Sequence, residues 1–335
     1  MKVIHRVSTD RFTISDLIRT AAERSLRIEP LSGTSQNLST PIFSGRLLLC
    51  EVQPGLTASA FDVTYLSDHQ IQVDTEPSLM CAVLLQGDDE TMEVGGRWNI
   101  VRRRERPVLL GFSKTMTCRR TLRARQRSCG AGFVLKPAFF DRFGEQVTDD
   151  GLSALREFCC AELRTETLAR SSRLLELATR SLDHPYNGHL GELFLESNTL
   201  SFVVEVTKLL EHERRIVAQI GRKHYDRVME ACEILDVNLV APPRTLDLAR
   251  QVGTNVTTLQ ANFRLVVGTT IFGYVRDQRL LMARALLFDH GLAIAEAGYR
   301  VGFSSPAAFT AAYRRRFGHA PGKEARGPAH GRGCL

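Results

Sequence analysis

Two short segments near the carboxyl end of this 335-residue chain carry side chains that suit contact with a DNA duplex. The first segment presents Thr257, Thr258, Gln260, Ala261 and Arg264. Glutamine can bridge two hydrogen-bonding atoms of adenine, threonine and alanine methyl groups can contact thymine, and arginine reaches phosphate oxygens. These residue types predict base reading by the first segment, although Gln260 also fits an ordinary solvated position on a helix.

The second segment has a different chemical character. Its predicted exposed side chains are Ser305, Pro306, Ala307, Ala308, Thr310, Ala311, Arg314 and Arg315. They offer few hydrogen-bonding groups to bases, the proline fits a first helical turn where no N–H is needed, and the arginines suit backbone phosphates. We therefore expect the second segment to anchor the protein and the first to supply more of the sequence specificity.

A helix-turn-helix unit around each segment would position these side chains. Such a unit needs a small residue where its helices cross and a turn that tolerates a positive φ. Ala249 and Gly253 fill these roles in the first unit, and Gly302 forms the turn of the second. The expected core residues are Leu246, Leu248, Val252, Leu259 and Phe263 in the first unit, and Phe303, Phe309, Tyr313 and Phe317 in the second.

One connecting helix is predicted between the two units, over Ile271–Asp289. At helical rise this segment is about 27 Å long, which suits two recognition helices one turn of DNA apart, about 34 Å. Its helical stripe contains Phe272, Val275, Arg279, Leu280, Ala283, Leu286 and Leu287.

The net charge of +7 lies on this same part of the chain. Residues 221–335 contain 16 basic and 9 acidic residues, whereas residues 1–220 contain 28 of each. A basic excess of this kind is expected where a domain neutralises phosphates. The alternative is a solvated basic tail, but Lys323, Arg326 and Arg332 account for only part of the excess.

Short apolar runs separated by turn residues fill the first half of the chain. Strands are predicted at residues 46–52, 61–66, 69–74, 79–85, 91–94, 108–112, 116–122 and 132–135. Their close spacing favours an antiparallel sandwich or barrel. Residues 15–25 suggest a short helix, 32–39 a polar loop and 136–143 a short helix. Helices are also predicted over 152–181 and 191–220; the second either supplies a dimer face or packs under the barrel.

The expected fold class is α+β. It combines an amino-terminal β-rich, cupin-like barrel with an all-α carboxyl-terminal domain, in which a linker helix joins two helix-turn-helix units. The expected domains are residues 1–150 (β-rich, effector-sensing), 151–221 (helical linker and candidate dimerisation region), 222–324 (DNA-binding) and 325–335 (flexible basic tail). The helix-turn-helix units occupy about 245–266 and 293–316.

Catalytic and metal sites are not expected. The eight cysteines form no CxxC pair, so we interpret them as reduced thiols, with Cys159 and Cys160 the first pair to consider for a redox or metal role. The barrel region holds a single histidine, His69, and lacks the clustered cysteines of a DNA-repair methyltransferase. We expect no enzyme activity, although a cupin-like enzyme joined to a DNA-binding domain is the remote alternative.

Two basic runs, residues 102–106 and 118–127, lie in the predicted barrel. They suit either an anionic ligand or a solvated strand edge, and the second interpretation is favoured. No apolar run approaches the length of about 18 residues required to cross a bilayer, and residues 1–10 lack the apolar core of a signal peptide. We therefore expect a cytoplasmic protein without a membrane partner.

Residues 226–321 resemble the DNA-binding domain of AraC/XylS-type transcription regulators. The motifs that carry the resemblance are Leu248-Ala249, Gly253, Leu259, Phe263-Arg264, Gly268, Tyr274, Arg279, Ala283, Leu286, Gly302-Phe303-Ser304-Ser305-Pro306, Phe309, Arg316-Phe317-Gly318 and Pro321. The resemblance implies base-facing positions at Thr257, Gln260, Ala261, Pro306, Ala307 and Thr310.

The chain departs from this pattern at two places. Ala297-Gly298 stands where the family has Val-Ala, and a helical glycine costs about 0.5–1 kcal/mol relative to alanine, so a soft second unit is expected. Gly322-Lys323-Glu324 replaces an aromatic-basic ending.

A narrower resemblance links residues 268–276 and the β-rich half to the branch typified by the pyochelin-siderophore regulator. It implies a ferric siderophore as the small-molecule effector, activation of uptake or synthesis genes, and promoter DNA and RNA polymerase as partners. A homodimer is a further expectation, and no resident cofactor is expected. The alternative effectors are an aromatic compound, a sugar or a host signal, and no effector-binding residues are assigned from the sequence.

Overall fold

The computed structural model describes residues 5–13, 15–16, 27–31, 39–87, 89–143, 152–289 and 292–323. The chain divides into two compact units, Met1–His212 and Glu213–Leu335. The predicted basic tail lies outside the described residues, as do almost all of the helix predicted at 15–25 and the loop predicted at 32–39.

Two antiparallel sheets form in the first unit, with burial that largely alternates along residues 56–65 and is continuous along residues 108–112. One sheet has the order β1-β3-β4-β11-β6-β9-β12. Its strands are β1 (His5–Thr13), β3 (Pro41–Gln53), β4 (Leu56–Tyr65), β6 (Ser78–Gly87), β9 (Val108–Phe112), β11 (Arg127–Leu135) and β12 (Arg164–Thr167). The other has the order β2-β5-β10-β7-β8. Its strands are β2 (Arg27–Leu31), β5 (His69–Thr75), β7 (Glu90–Val94), β8 (Trp98–Arg102) and β10 (Met116–Leu122).

The predicted β-rich fold of this half is confirmed. Each predicted strand overlaps an observed one, and β9 and β10 have the predicted bounds. The strands β1, β2, β8 and β12 are not predicted from the sequence. The polar strand β12 lacks apolar alternation and forms only through its pairing with β9 at the sheet edge.

In the described part of the chain, the strands are followed or flanked by the helices α1 (Pro137–Asp141), α2 (Leu152–Cys160), α3 (Ser172–Leu182) and α4 (Gly188–Ile220), of which α4 ends beyond His212, the last residue of this unit. The predicted single helix over residues 152–181 is wrong, because β12 separates α2 from α3. The Ser171 hydroxyl accepts a hydrogen bond from the Leu174 N–H at 3.3 Å and so starts a new helix.

The inner faces of these helices share one apolar core with the larger sheet. Phe158 of α2, Leu177 of α3 and Phe202 of α4 belong to this core. The rings of Phe133 on β11 and Phe202 lie edge to face, with centroids 5.8 Å apart. The predicted packing of the helices against the strands is therefore present on this face of α4.

The second unit is helical, as predicted. Its helices are α5 (Arg222–Val237), α6 (Thr245–Gln251), α7 (Val256–Val267), α8 (Ile271–Asp289), α9 (Ile294–Arg300) and α10 (Pro306–Phe317). The helices α5, α6 and α7 surround one apolar cluster, and α9 and α10 surround another, with α8 contributing to both. Among the described residues, no helix combines the length and apolar character required to cross a membrane.

The predicted core residue Leu246 is exposed, and so is Phe272 of the predicted helical stripe. Leu246 is 50 % exposed and Phe272 is 76 % exposed. Leu246 lies in the first turn of α6 and Phe272 in the first turn of α8, and in both helices the inner face is formed by other residues. Leu248 and Ala249 form the inner face of α6, and Tyr274 and Val275 that of α8.

The glycines of the two helix-turn-helix units are required for two different structural reasons. Gly253 and Gly302 adopt φ values of +67° and +86°, as the turn requires. Gly298 lies beneath Phe309, and a Cβ at this position would approach the Phe309 ring to 3.0 Å. The expectation that Gly298 softens the second unit is therefore incomplete, since its missing side chain permits the close contact between α9 and α10.

We predict that Gly302→Ala destabilises the second unit more than Gly253→Ala. Both substitutions place a side chain at positive φ, which costs about 1–2 kcal/mol. Only at Gly302 does the new Cβ also approach a guanidinium carbon, Arg279 Cζ, and the Val240 carbonyl, both at 3.1 Å. This crowding adds about 1–3 kcal/mol.

Urea unfolding followed by circular dichroism measures the difference. Gly253→Ala is the matched control, because the nearest atom to its Cβ is 3.7 Å away. Equal losses of stability in the two variants would contradict the prediction.

Candidate nucleic-acid interface and ligand cavity

The two proposed recognition helices, α7 and α10, have the same construction. Each contains 12 residues and ends at a glycine in the left-handed conformation, Gly268 or Gly318. The Asn255 side chain accepts the Thr258 N–H at 2.8 Å, and the Ser305 hydroxyl accepts the Ala308 N–H at 3.2 Å. These caps satisfy N–H groups that the helix leaves free and fix where each helix starts.

The residues singled out on α7 form one surface. Thr257, Gln260, Ala261 and Arg264 are exposed, whereas Thr258 is half-buried. Their helical spacing places them on the face opposite the buried side chains. The structure therefore brings together the predicted residues of the first unit.

The residues singled out on α10 also share a face. A shallow surface depression is lined by Pro306, Ala307, Thr310, Ala311, Arg314 and Arg315. Ser305 lies at the start of this face, but its hydroxyl oxygen already accepts the Ala308 N–H. The Ser305 hydroxyl can therefore still donate its own O–H to a phosphate oxygen.

The Arg279 side chain has a role that the sequence analysis missed, since it was placed on an apolar stripe. Its Nε donates to the Leu239 carbonyl at 2.7 Å, its Nη2 to the Val240 carbonyl at 2.9 Å and its Nη1 to the Gly302 carbonyl at 3.0 Å. Burial lowers the pKa of this guanidinium. An arginine within an otherwise apolar helical stripe is the sequence signal that indicates such a contact.

A cavity of about 960 Å³ lies among the strands of the first unit. Both sheets contribute to its lining, which is largely apolar and sulfur-rich. Its apolar and sulfur-containing side chains include Phe61, Met80, Met92, Leu110, Cys118 and Phe133. Cavities of this size accommodate drug-sized molecules.

A buried charge cluster lies at the cavity wall. Arg102 and Arg120 line the cavity, and both donate hydrogen bonds to Glu90, which is 7 % exposed. The Ser128 hydroxyl donates to the other oxygen of the Glu90 carboxylate. Because Ser128 belongs to β11 and the other three residues to β7, β8 and β10, the cluster joins the two sheets.

Competing effects set the protonation of this cluster. Burial raises the pKa of the Glu90 carboxyl, but the charges of Arg120 and Arg102 and the Ser128 hydroxyl outweigh it, so the pKa is lowered. Burial and repulsion from Arg120 lower the pKa of Arg102 to about 10. At neutral pH, therefore, two positive charges, on the nearly buried Arg102 and the partly exposed Arg120, face one negative charge.

The opposite end of the cavity has a different composition. Lys136 Nζ lies 2.8 Å from Glu76 Oε2. This pair is close to the end of β10 at which Met116 is paired with Thr75. Arg120 lies four residues farther along β10, about 13 Å away at strand rise. The two ends are separated by the apolar middle of the cavity.

The two basic runs are not simply solvated edges, as the favoured interpretation held. Arg102 and Arg120 face the cavity, whereas Arg119 is exposed and donates to Gln72 at 3.0 Å and to Glu93 at 3.3 Å. Strand alternation explains the difference, because successive side chains of β10 point to opposite faces. Sequence alone did not indicate which face is covered.

The cysteines in the described part of the chain carry free thiols. Burial raises the pKa of Cys81 and Cys118, which line the cavity, and of Cys159, whose pKa reaches about 11. These thiols are therefore protonated at neutral pH. Within the described ranges, no group of three or more His, Cys, Asp or Glu side chains is arranged to hold a metal ion.

Known proteins match both halves of the chain. Residues 44–220 match the family described as Regulatory protein PchR N-terminal domain, and residues 248–326 match a Helix-turn-helix domain family. Three curated relatives illustrate the similarity. The HTH-type transcriptional regulator ExsA of Pseudomonas aeruginosa is 28 % identical over 33 % of this chain and 39 % of its own length. The virulence regulon transcriptional activator VirF of Yersinia enterocolitica is 36 % identical over 30 % of this chain and 36 % of its own.

The third relative is the regulatory protein PchR of Pseudomonas aeruginosa, 34 % identical over 30 % of this chain and 35 % of its own length. The chain thus spans less than two fifths of each of these relatives. The paired helix-turn-helix units and these matches identify an AraC-type helix-turn-helix domain in the second unit. Because the first family match covers more than half of its residues, the chain belongs to the family that carries the PchR N-terminal domain.

Proposed function

We propose that α7 and α10 enter neighbouring major grooves of promoter DNA, and that α7 supplies more of the base specificity. The observation that carries this assignment is the pair of capped helices with exposed faces of different chemistry. Gln260 on α7 has two hydrogen-bonding groups for adenine, whereas the exposed face of α10 combines alanines with Arg314 and Arg315. The connecting helix α8 has 19 residues, or about 28 Å at helical rise.

We predict different binding defects for Gln260→Ala and Arg314→Gln. Loss of Gln260 removes a base contact, so discrimination at one base pair falls by about 1–3 kcal/mol. Loss of Arg314 removes a phosphate contact, so DNA of every sequence binds more weakly. The slope of the logarithm of the binding constant against the logarithm of the salt concentration also decreases in magnitude by about one. Fluorescence anisotropy at several stated salt concentrations, with an operator selected from a random-sequence pool, measures both effects.

Gln251→Ala is the matched control for the base contact. It removes the same exposed side chain from the end of the supporting helix α6. A Gln260→Ala variant with unchanged preference at every base pair would contradict the assignment of α7.

We further propose that a ferric siderophore is the effector and that the protein, acting in the cytoplasm, activates genes of siderophore uptake or synthesis through RNA polymerase. The match to the PchR N-terminal domain over residues 44–220 supports this assignment. The cavity of about 960 Å³ has room for such a chelate. Because the siderophore itself supplies the ligands of its iron, binding of the chelate does not require metal-binding side chains of the protein.

We predict that a ferric siderophore changes operator affinity several-fold, while its iron-free form has a smaller effect. A gel shift at fixed salt with a panel of ferric and iron-free siderophores measures the change, and transcription with purified RNA polymerase reports activation. Aromatic compounds and sugars complete the panel. A response only to one of these, or to no compound, would overturn the siderophore assignment but not DNA binding.

We also propose a homodimer formed through the outer face of α4. Leu193 and Val204 on this face are 64 % and 52 % exposed. The same surface includes Leu200, Glu196 and Lys208. An antiparallel pair of these helices that crosses near residue 202 would put Val204 against the second copy's Leu200 and Glu196 against its Lys208. The charges and the apolar stripe are thus self-complementary.

We predict that Val204→Glu weakens this dimer at least about tenfold, since it places a charge in an apolar contact. Sedimentation equilibrium of the full chain measures the dissociation constant. Val237→Glu is the control, because Val237 is exposed at the end of α5 and outside the stripe. A wild-type chain that stays monomeric at all concentrations would refute the dimer.

A further inference from the structure

The charge cluster at the cavity wall has an excess of donors. Arg102 and Arg120 share one carboxylate oxygen of Glu90, and the second oxygen is taken by Ser128. The Arg102 side chain is 11 % exposed. Among the described residues, its buried Nε has no hydrogen-bond partner. A buried, charged donor without an acceptor is costly unless another group satisfies it.

The same cavity has room for a group that accepts hydrogen bonds from this guanidinium. Arg102 belongs to its lining, next to Met92, Ile100 and Phe61. Guanidinium groups bind carboxylates and similar oxyanions through two parallel N–H groups. The surrounding surface is apolar, so water competes weakly with an anion there.

We infer that this cavity binds a small molecule with one acidic oxygen group, a carboxylate or acidic phenol, seated on Arg102 and Arg120, with its apolar body in the middle of the cavity. This inference rests on the proposed effector-binding role of the first unit and specifies its ligand chemistry. Glu90 holds the two guanidiniums in place and leaves one positive charge for the ligand. The opposite end of the cavity is lined by two carboxylates, Glu51 and Glu76, and one ammonium group, Lys136, so the acidic group of the ligand prefers the arginine end.

Two fluorescent probes with the same aromatic body test the inference on the full chain. Anilinonaphthalene sulfonate carries an acid group, for which its sulfonate stands in, and N-phenylnaphthylamine does not. Trp98 is the single tryptophan and lies on β8 with Arg102. Energy transfer from Trp98 to the probe therefore reports binding within this unit. We expect saturable binding, with the anionic probe at least about tenfold tighter, because hydrogen bonds to charged groups contribute this much.

Arg102→Met should abolish this preference for the anionic probe while leaving the neutral probe bound as before. The Glu90–Arg120 and Glu90–Ser128 hydrogen bonds remain in this variant, and binding of the neutral probe checks that the cavity is intact. Arg119→Gln is the matched control, since it removes the same charge from the exposed face of β10. It should keep the preference. If Arg102→Met fails to fold, Arg102→Lys is the second variant. It keeps the positive charge but lacks the planar pair of N–H donors, so it should weaken the preference for the anionic probe.

Equal affinity of the wild-type chain for both probes would overturn the inference. So would a preference that survives both substitutions of Arg102, or one that Arg119→Gln removes equally. Operator binding is measured on the same preparations. If it persists while the anion preference is absent, the inference alone fails; if operator binding is absent as well, the proposed function fails.

Discussion

The DNA-binding unit depends on the three hydrogen bonds of the Arg279 guanidinium. The two apolar clusters of this unit are separate, and α8 contributes Tyr274 and Val275 to one and Leu280 and Ala283 to the other. Arg279 lies between them in sequence and binds the carbonyls of Leu239, Val240 and Gly302. Apolar burial fixes each helix-turn-helix internally, whereas this side chain ties the turn of the second to the segment after α5. A lysine has no planar fork to reach three carbonyls at once.

The two helix-turn-helix units have the same helix arrangement but use different residues where their helices cross. Both start the second helix with a side-chain cap and end it at a left-handed glycine. The first has Ala249 at the helix crossing, while the second has Gly298 directly beneath the Phe309 ring. In the second unit, the glycine therefore lowers the helix propensity of α9 but allows a closer contact with the Phe309 ring. Since the scaffolds are so alike, the difference in their proposed DNA contacts arises from the surface side chains alone.

Local signals made most of the carboxyl-terminal half predictable from sequence. Helix caps, turn glycines and helical periodicity depend on neighbouring residues, so α8 has the predicted bounds and the residues proposed on α7 and α10 lie on shared faces. Several of the errors involve distant partners. Residues 164–167 form a strand because β9 is available to pair with them. Arg279 was misinterpreted because its three acceptor carbonyls lie 23 to 40 residues away in the chain. Arg102 was misinterpreted because strands of both sheets form the cavity that its side chain faces.

The buried charges of the first unit are best explained by binding rather than by stability. Moving a charged group out of water costs several kcal/mol, and apolar side chains of similar volume often stabilise a core equally well. The hydrogen bond between Ser128 and Glu90 joins the two sheets, and one guanidinium would suffice to balance the charge of this carboxylate. The second guanidinium adds a buried positive charge beside a cavity. A ligand that neutralises it binds only the folded state, so it must stabilise this unit by mass action. The same cluster that links the sheets thereby makes their stability depend on the proposed effector.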